Sequence, residues 1–144
     1  MNVFITGASS GIGEYLAYEY SKQNAHIGIT ARRIDKLERI AKKCTELGGT
    51  ISFYQLDVND QEECNKIINQ FSDKVEGIDI IIANAGVGDH DNLKTGDATT
   101  INNILHTNII GLTNTIIPAI PNMINQKSGN IVIKKASDNS TVET

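Results

Sequence analysis

Five short apolar runs, separated by stretches of helix length, constrain this chain more than any other feature. Val3-Phe4-Ile5, Ile27 to Ala31, Ile51 to Leu56, Ile78 to Ala83 and Asn130 to Ile133 are of strand length and rich in β-branched residues. Between them, apolar residues recur at helical spacings: Ile12, Leu16, Ala17 and Tyr20; then Leu37, Ile40, Ala41, Cys44 and Leu47; then Ile67, Ile68 and Phe71. These spacings predict a first helix over Ile12 to Gln23, a second stopped by Gly48-Gly49 and a third capped by Asp60. A longer helical pattern runs from Ile101 towards Met123, where Pro118 and Pro121 are expected to kink it or end it early. A polar loop over Val87 to Thr100 precedes it. Regular strand–helix alternation means an α/β domain with a parallel sheet and right-handed crossovers.

A length of 144 residues fits one domain. The pattern places that domain in residues 1–133 and leaves 134–144 as an irregular polar tail. The composition, 40% hydrophobic and 21% charged, excludes wholesale disorder. A net charge of −4 argues against a nucleic-acid partner, and runs such as Ile80 to Ala83 are too short to span a bilayer. Cys44 and Cys64 have neither disulfide density nor metal spacing, and no basic segment precedes Val3. A reduced, cytoplasmic setting is therefore expected. His90 stands between Asp89 and Asp91, but three consecutive polar residues rarely converge on one ion. No metal is expected.

Thr6-Gly7-Ala8-Ser9-Ser10-Gly11-Ile12-Gly13 joins the first strand to the first helix. Glycines let backbone turn sharply against a pyrophosphate, and a helix N-terminus offers it N–H groups and positive potential. The spacing is Gly-x-x-x-Gly-x-Gly. Asp57-Val58 follows the third strand, Asn84-Ala85-Gly86 the fourth, Asn108-Ile109-Ile110-Gly111 lies in the long helix, and Gly129-Asn130-Ile131-Val132 opens the fifth strand. In this order, over residues 1 to about 133, the motifs resemble the short-chain dehydrogenase/reductase family.

That resemblance implies a Rossmann-like, doubly wound parallel sheet of about five strands in the order 3-2-1-4-5, incomplete relative to the family. It implies hydride transfer between a nicotinamide cofactor and a small carbonyl or alcohol substrate. Gly7, Ser9, Ser10, Gly11, Ile12 and Gly13 would cradle the phosphates, Asp57 and Val58 would meet the adenine, and Asn84, Ala85 and Gly86 would floor the site. Asn108 would hold a proton-relay water.

The residue ending the second strand faces the adenosine ribose in such folds, and a carboxylate there would repel a 2′-phosphate. This chain carries Ala31 at that point, followed by Arg32 and Arg33, whose guanidinium groups pair with phosphate. The expected cofactor is NADP rather than NAD. Asp35 reads as a helix cap.

The catalytic set is less complete. The family's serine position falls on Ala136, with Ser137 one residue later, after an unusual Lys134-Lys135. The Tyr-x-x-x-Lys at Tyr18 to Lys22 lies on the first helix, away from the strand C-termini. Asn108 and Ser137 are thus the catalytic candidates, and the chain is expected to be catalytically incomplete. The alternative is a non-catalytic or vestigial dinucleotide-binding protein. Ile131-Val132-Ile133 would form an exposed edge, so self-association into a homo-oligomer is expected.

Overall fold

The computed structural model describes residues 1–87 and 96–134; His90 with its neighbouring aspartates, Ala136 and Ser137 lie outside the described residues. Strands β1 (Asn2–Thr6), β2 (His26–Ala31), β3 (Thr50–Gln55), β4 (Ile80–Ala83) and β5 (Asn130–Ile133) form one parallel sheet in the order β3-β2-β1-β4-β5. The expected Rossmann-like α/β architecture and strand order are the observed ones. Helices α1 (Gly11–Ser21), α2 (Ile34–Glu46) and α3 (Gln61–Val75) link the first four strands.

Alternation along β1 explains the two cores. Successive strand residues point to opposite faces, so Val3 and Ile5 join Ala17, Leu37, Ile40 and Cys44 on the α1–α2 side. Phe4 points the other way, into a cluster with Ile67, Ile68 and Phe71 of α3. Its ring centroid lies 5.4 Å from that of Phe71. Asp60 caps α3 as expected, accepting the Glu63 backbone N–H at 2.9 Å. Asp35 does not cap α2. Arg33 holds that position without a side-chain bond, and Asp35 falls in the first turn, where a carboxylate meets the positive helix end.

The long helix departs most from expectation. It begins at Ala98, capped by Asp97, so the polar loop ends earlier than the sequence suggests. It then runs through α4 (Ala98–Leu105), a wide π-type turn (His106–Ile110), α5 (Gly111–Ile116), a tight 3-10 turn (Ile117–Ala119) and α6 (Ile120–Gln126). Pro118 and Pro121 sit at the starts of the last two pieces, where a missing N–H costs little. They tighten the helix without ending it. Among the described residues no helix is long and apolar enough to cross a membrane.

Candidate functional site

The chain leaves β1 and β4 in opposite directions along the sheet, so the C-terminal ends of these adjacent strands bound a crevice. Ligands of open α/β sheets sit where the strand order reverses in this way. A cleft of about 260 Å³ opens there, and most of the sequence candidates line it: Gly7, Ser9, Ser10, Gly11 and Ile12 from the first turn, Arg32 and Arg33 after β2, Asp57 and Val58 after β3, and Asn84, Ala85 and Gly86 after β4.

Gly7 has φ of +66°, and a Cβ there would lie 2.6 Å from the Ala85 Cα, so only glycine lets the turn pass beside the segment after β4. Gly13 is buried behind the cleft. A Cβ on it would stand 2.5 Å from the Asn84 Nδ2 and 2.6 Å from the Gly7 carbonyl oxygen. That Nδ2 donates to the carbonyls of Thr6 (3.1 Å) and Gly7 (3.0 Å), while the Thr6 Oγ1 accepts from the backbone N–H groups of Asn84 and Ala85, both at 3.2 Å. The turn is thereby laced to the β4 end. Ser10 precedes α1 in extended conformation and gives no side-chain cap. The first-turn N–H groups therefore have no intrahelical partner, and their residues Gly11 and Ile12 face the cleft.

Charge is divided along the cleft. Arg33 donates to the Ser9 Oγ at 3.2 Å, which sets its guanidinium over the first turn. Arg32 lines the same end, and Ala31 leaves that end without a carboxylate on β2. Lys134 lines the cleft from the β5 side. Asn108 lies behind the wall: its Oδ1 accepts from the Val87 N–H and its Nδ2 donates to the Val87 carbonyl, both at 2.9 Å. Gly111, which completes its motif, lets the helix lie against the β3 loop, since a Cβ there would stand 2.6 Å from the Val58 Cγ2. Sequence reasoning missed Leu56, Asn59, Val87, Thr107 and Lys134 as lining residues. Asn59 and Thr107 directly adjoin Val58 and Asn108, which was the available signal.

Tyr18 and Lys22 are off the cleft on α1. The Tyr18 hydroxyl donates to the Glu14 Oε1 at 2.7 Å; burial, then this carboxylate, push its pKa up to about 12. Lys22 is paired with Glu19 at 2.6 Å. A proton donor for neutral-pH chemistry needs the opposite shift. Cys44 and Cys64 are buried free thiols, and burial raises both pKa values, that of Cys64 to about 11. Among the described residues no group of three His, Cys, Asp or Glu could hold a metal.

The sheet order and the cleft at its reversal define a doubly wound α/β protein of the dinucleotide-fold class. A family model described as short chain dehydrogenase matches residues 1–142, and the chain belongs to that family. It is 39% identical over 140 residues to an 11-beta-hydroxysteroid dehydrogenase-like protein of Arabidopsis thaliana, covering 94% of this chain and 44% of that one. Among solved structures, ElxO with NADP bound is 39% identical with a TM-score of 0.82, covering 92% of this chain and 54% of that one. Carveol dehydrogenase from Mycobacterium avium in complex with NAD is 25% identical with a TM-score of 0.84, covering 92% and 53%. The chain thus spans about half the length of these relatives.

Proposed function

We propose that residues 1–133 form the cofactor-binding half of an NADP-dependent oxidoreductase acting on a small carbonyl or alcohol substrate. The observation that carries it is the pair Arg32 and Arg33 sharing one cleft with the open N-terminus of α1, beside an Ala31 that cannot repel a 2′-phosphate. The donor set fits a dinucleotide. A Cβ on Gly11 would meet nothing within 4 Å, which leaves room for a diphosphate against the first-turn N–H groups. Arg32 and Arg33 would hold the 2′-phosphate, Asp57 and Val58 the adenine, and Asn84 to Gly86 the floor beneath the nicotinamide half. The bound group would supply a hydride. ElxO, which binds NADP, supports this choice more closely than the NAD-bound carveol dehydrogenase, by 39% identity against 25%.

Asn108 contributes by fixing Val87 at the cleft wall, and Ser137, four positions past the end of β5 in the sequence, is the remaining catalytic candidate. The single Tyr-x-x-x-Lys of these 144 residues is the α1 pair, whose side chains are bound to Glu14 and Glu19. We therefore assign this polypeptide cofactor binding rather than proton transfer. Fluorescence titration with NADPH and NADH tests the cofactor choice. NADPH is expected to bind ten- to hundredfold more tightly, about 1.5 to 3 kcal/mol for charge-assisted hydrogen bonds, and Arg32→Asp to reverse the order. Equal binding of both by the unaltered chain would sink the NADP reading.

A further inference from the structure

His106, Thr107 and Asn108 are consecutive, yet all three side chains reach loops that bound the cleft. Residues one or two apart on an α-helix do not share a face. The π-type turn over His106–Ile110 changes that spacing, and such turns recur at functional sites. Asn108 takes the Val87 backbone, as described. The other two side chains meet on one residue. Asn59 Nδ2 donates to the Thr107 Oγ1 at 3.0 Å, and Asn59 Oδ1 lies 2.8 Å from the His106 Nδ1. With the Asn59 oxygen as acceptor, that imidazole nitrogen carries the proton. The Asn59 backbone N–H donates in turn to the Asp57 Oδ1 at 3.0 Å. One side-chain amide thus joins the loop after β3 to the long helix, and both Asn59 and Thr107 line the cleft.

We infer that Asn59 is a positioning residue: it locks the Asp57–Val58 loop to the π-type turn through Thr107 and so sets the wall against which the adenosine half of a dinucleotide rests. The inference rests on the cofactor assignment above. A residue in this role acts on any ligand carrying the adenosine half, whether or not nicotinamide is attached. It also acts together with Thr107 as a single unit, so the two deletions are not additive.

The test is titration of the 144-residue chain with NADPH and with 2′,5′-ADP, using Asn59→Ala, Thr107→Val, Thr107→Ser and the Asn59→Ala/Thr107→Val double variant. Asn59→Ala is expected to weaken both ligands by the same factor, roughly tenfold for two ordinary hydrogen bonds. Thr107→Val is expected to cost roughly threefold, Thr107→Ser to bind as the unaltered chain does, and the double variant to be no worse than Asn59→Ala. Unchanged binding by Asn59→Ala, or losses that multiply in the double variant, would overturn the inference. Should Asn59→Ala not fold, the Thr107 pair decides: equal binding by the valine and serine variants overturns it. Failure of the unaltered chain to bind either ligand is a different result and overturns the cofactor assignment itself.

Discussion

β1 and β5 flank the same strand, β4, and begin with almost the same word, Asn2-Val3-Phe4-Ile5 against Asn130-Ile131-Val132-Ile133. Their surroundings are opposite. Val3, Phe4 and Ile5 are fully buried, whereas Ile131, Val132 and Ile133 are 41%, 44% and 52% exposed. β1 has a strand on each side and cores on both faces; β5 is a sheet edge. Strand propensity and burial are thus separate properties, and only the second decides how much a residue contributes to stability. Along the long helix Leu105, Ile109, Ile117 and Ile124 are exposed as well, so the open part of the molecule lies C-terminal to β4. The core on both faces of β1 is its closed side.

The largest expected effect tests that contrast directly. Phe4→Ala should destabilise the chain by about 3–5 kcal/mol, because the ring fills a closed core against Phe71. Ile133→Ala, a deletion from an equally apolar strand, should cost less than about 1 kcal/mol. Urea denaturation of the two variants measures both. A large loss at Ile133 would break the comparison and show that β5 is covered in solution, as self-association through this edge would require.

Close approach at the turn predicts a second effect. Gly13→Val would drive a branched side chain into the Asn84 amide and the Gly7 carbonyl, weakening NADPH binding by roughly a hundredfold, in line with overpacking of about 3 kcal/mol. Calorimetric titration checks it; a valine variant that folds and binds normally would mean that the turn does not shape the site.

The smallest effect lies on α1, behind the turn. Burial and Glu14 raise the Tyr18 pKa from 10.0 to about 12, so stability that depends on its protonated form is complete below about pH 10 and is lost as pH rises through about 12. Ultraviolet titration should show one tyrosine ionising late, and Tyr18→Phe should remove that late step. A late step that persists in the phenylalanine variant would assign it to another tyrosine.

Much of the closed side was readable from local pattern. Short apolar runs located all five strands, period-3.6 apolar spacing located the first three helices, and the Gly7–Gly13 turn lay where strand meets helix. Asp60 announced its cap because capping is a contact over three residues. Asp35 misled for the same reason: a carboxylate near a helix start can cap or can simply face the helix end, and the backbone of Arg33 decided which. Nothing local marks the π-type turn, whose side chains bond to two loops distant in sequence, at Asn59 and at Val87.

Sequence by itself determined the elements, their order and the positions of the turn, the arginines and the motif residues, since each depends on neighbours within a few positions along the chain. Tertiary structure alone decided that Asn108 holds Val87, that Asn59 meets two residues almost fifty positions away, that Gly13 supports the cleft without lining it, and that β5 stands open while β1 is closed. These outcomes depend on hydrogen bonds and packing between distant segments. Such contacts arise only once the sheet has brought those segments together, so no short stretch of sequence encodes them.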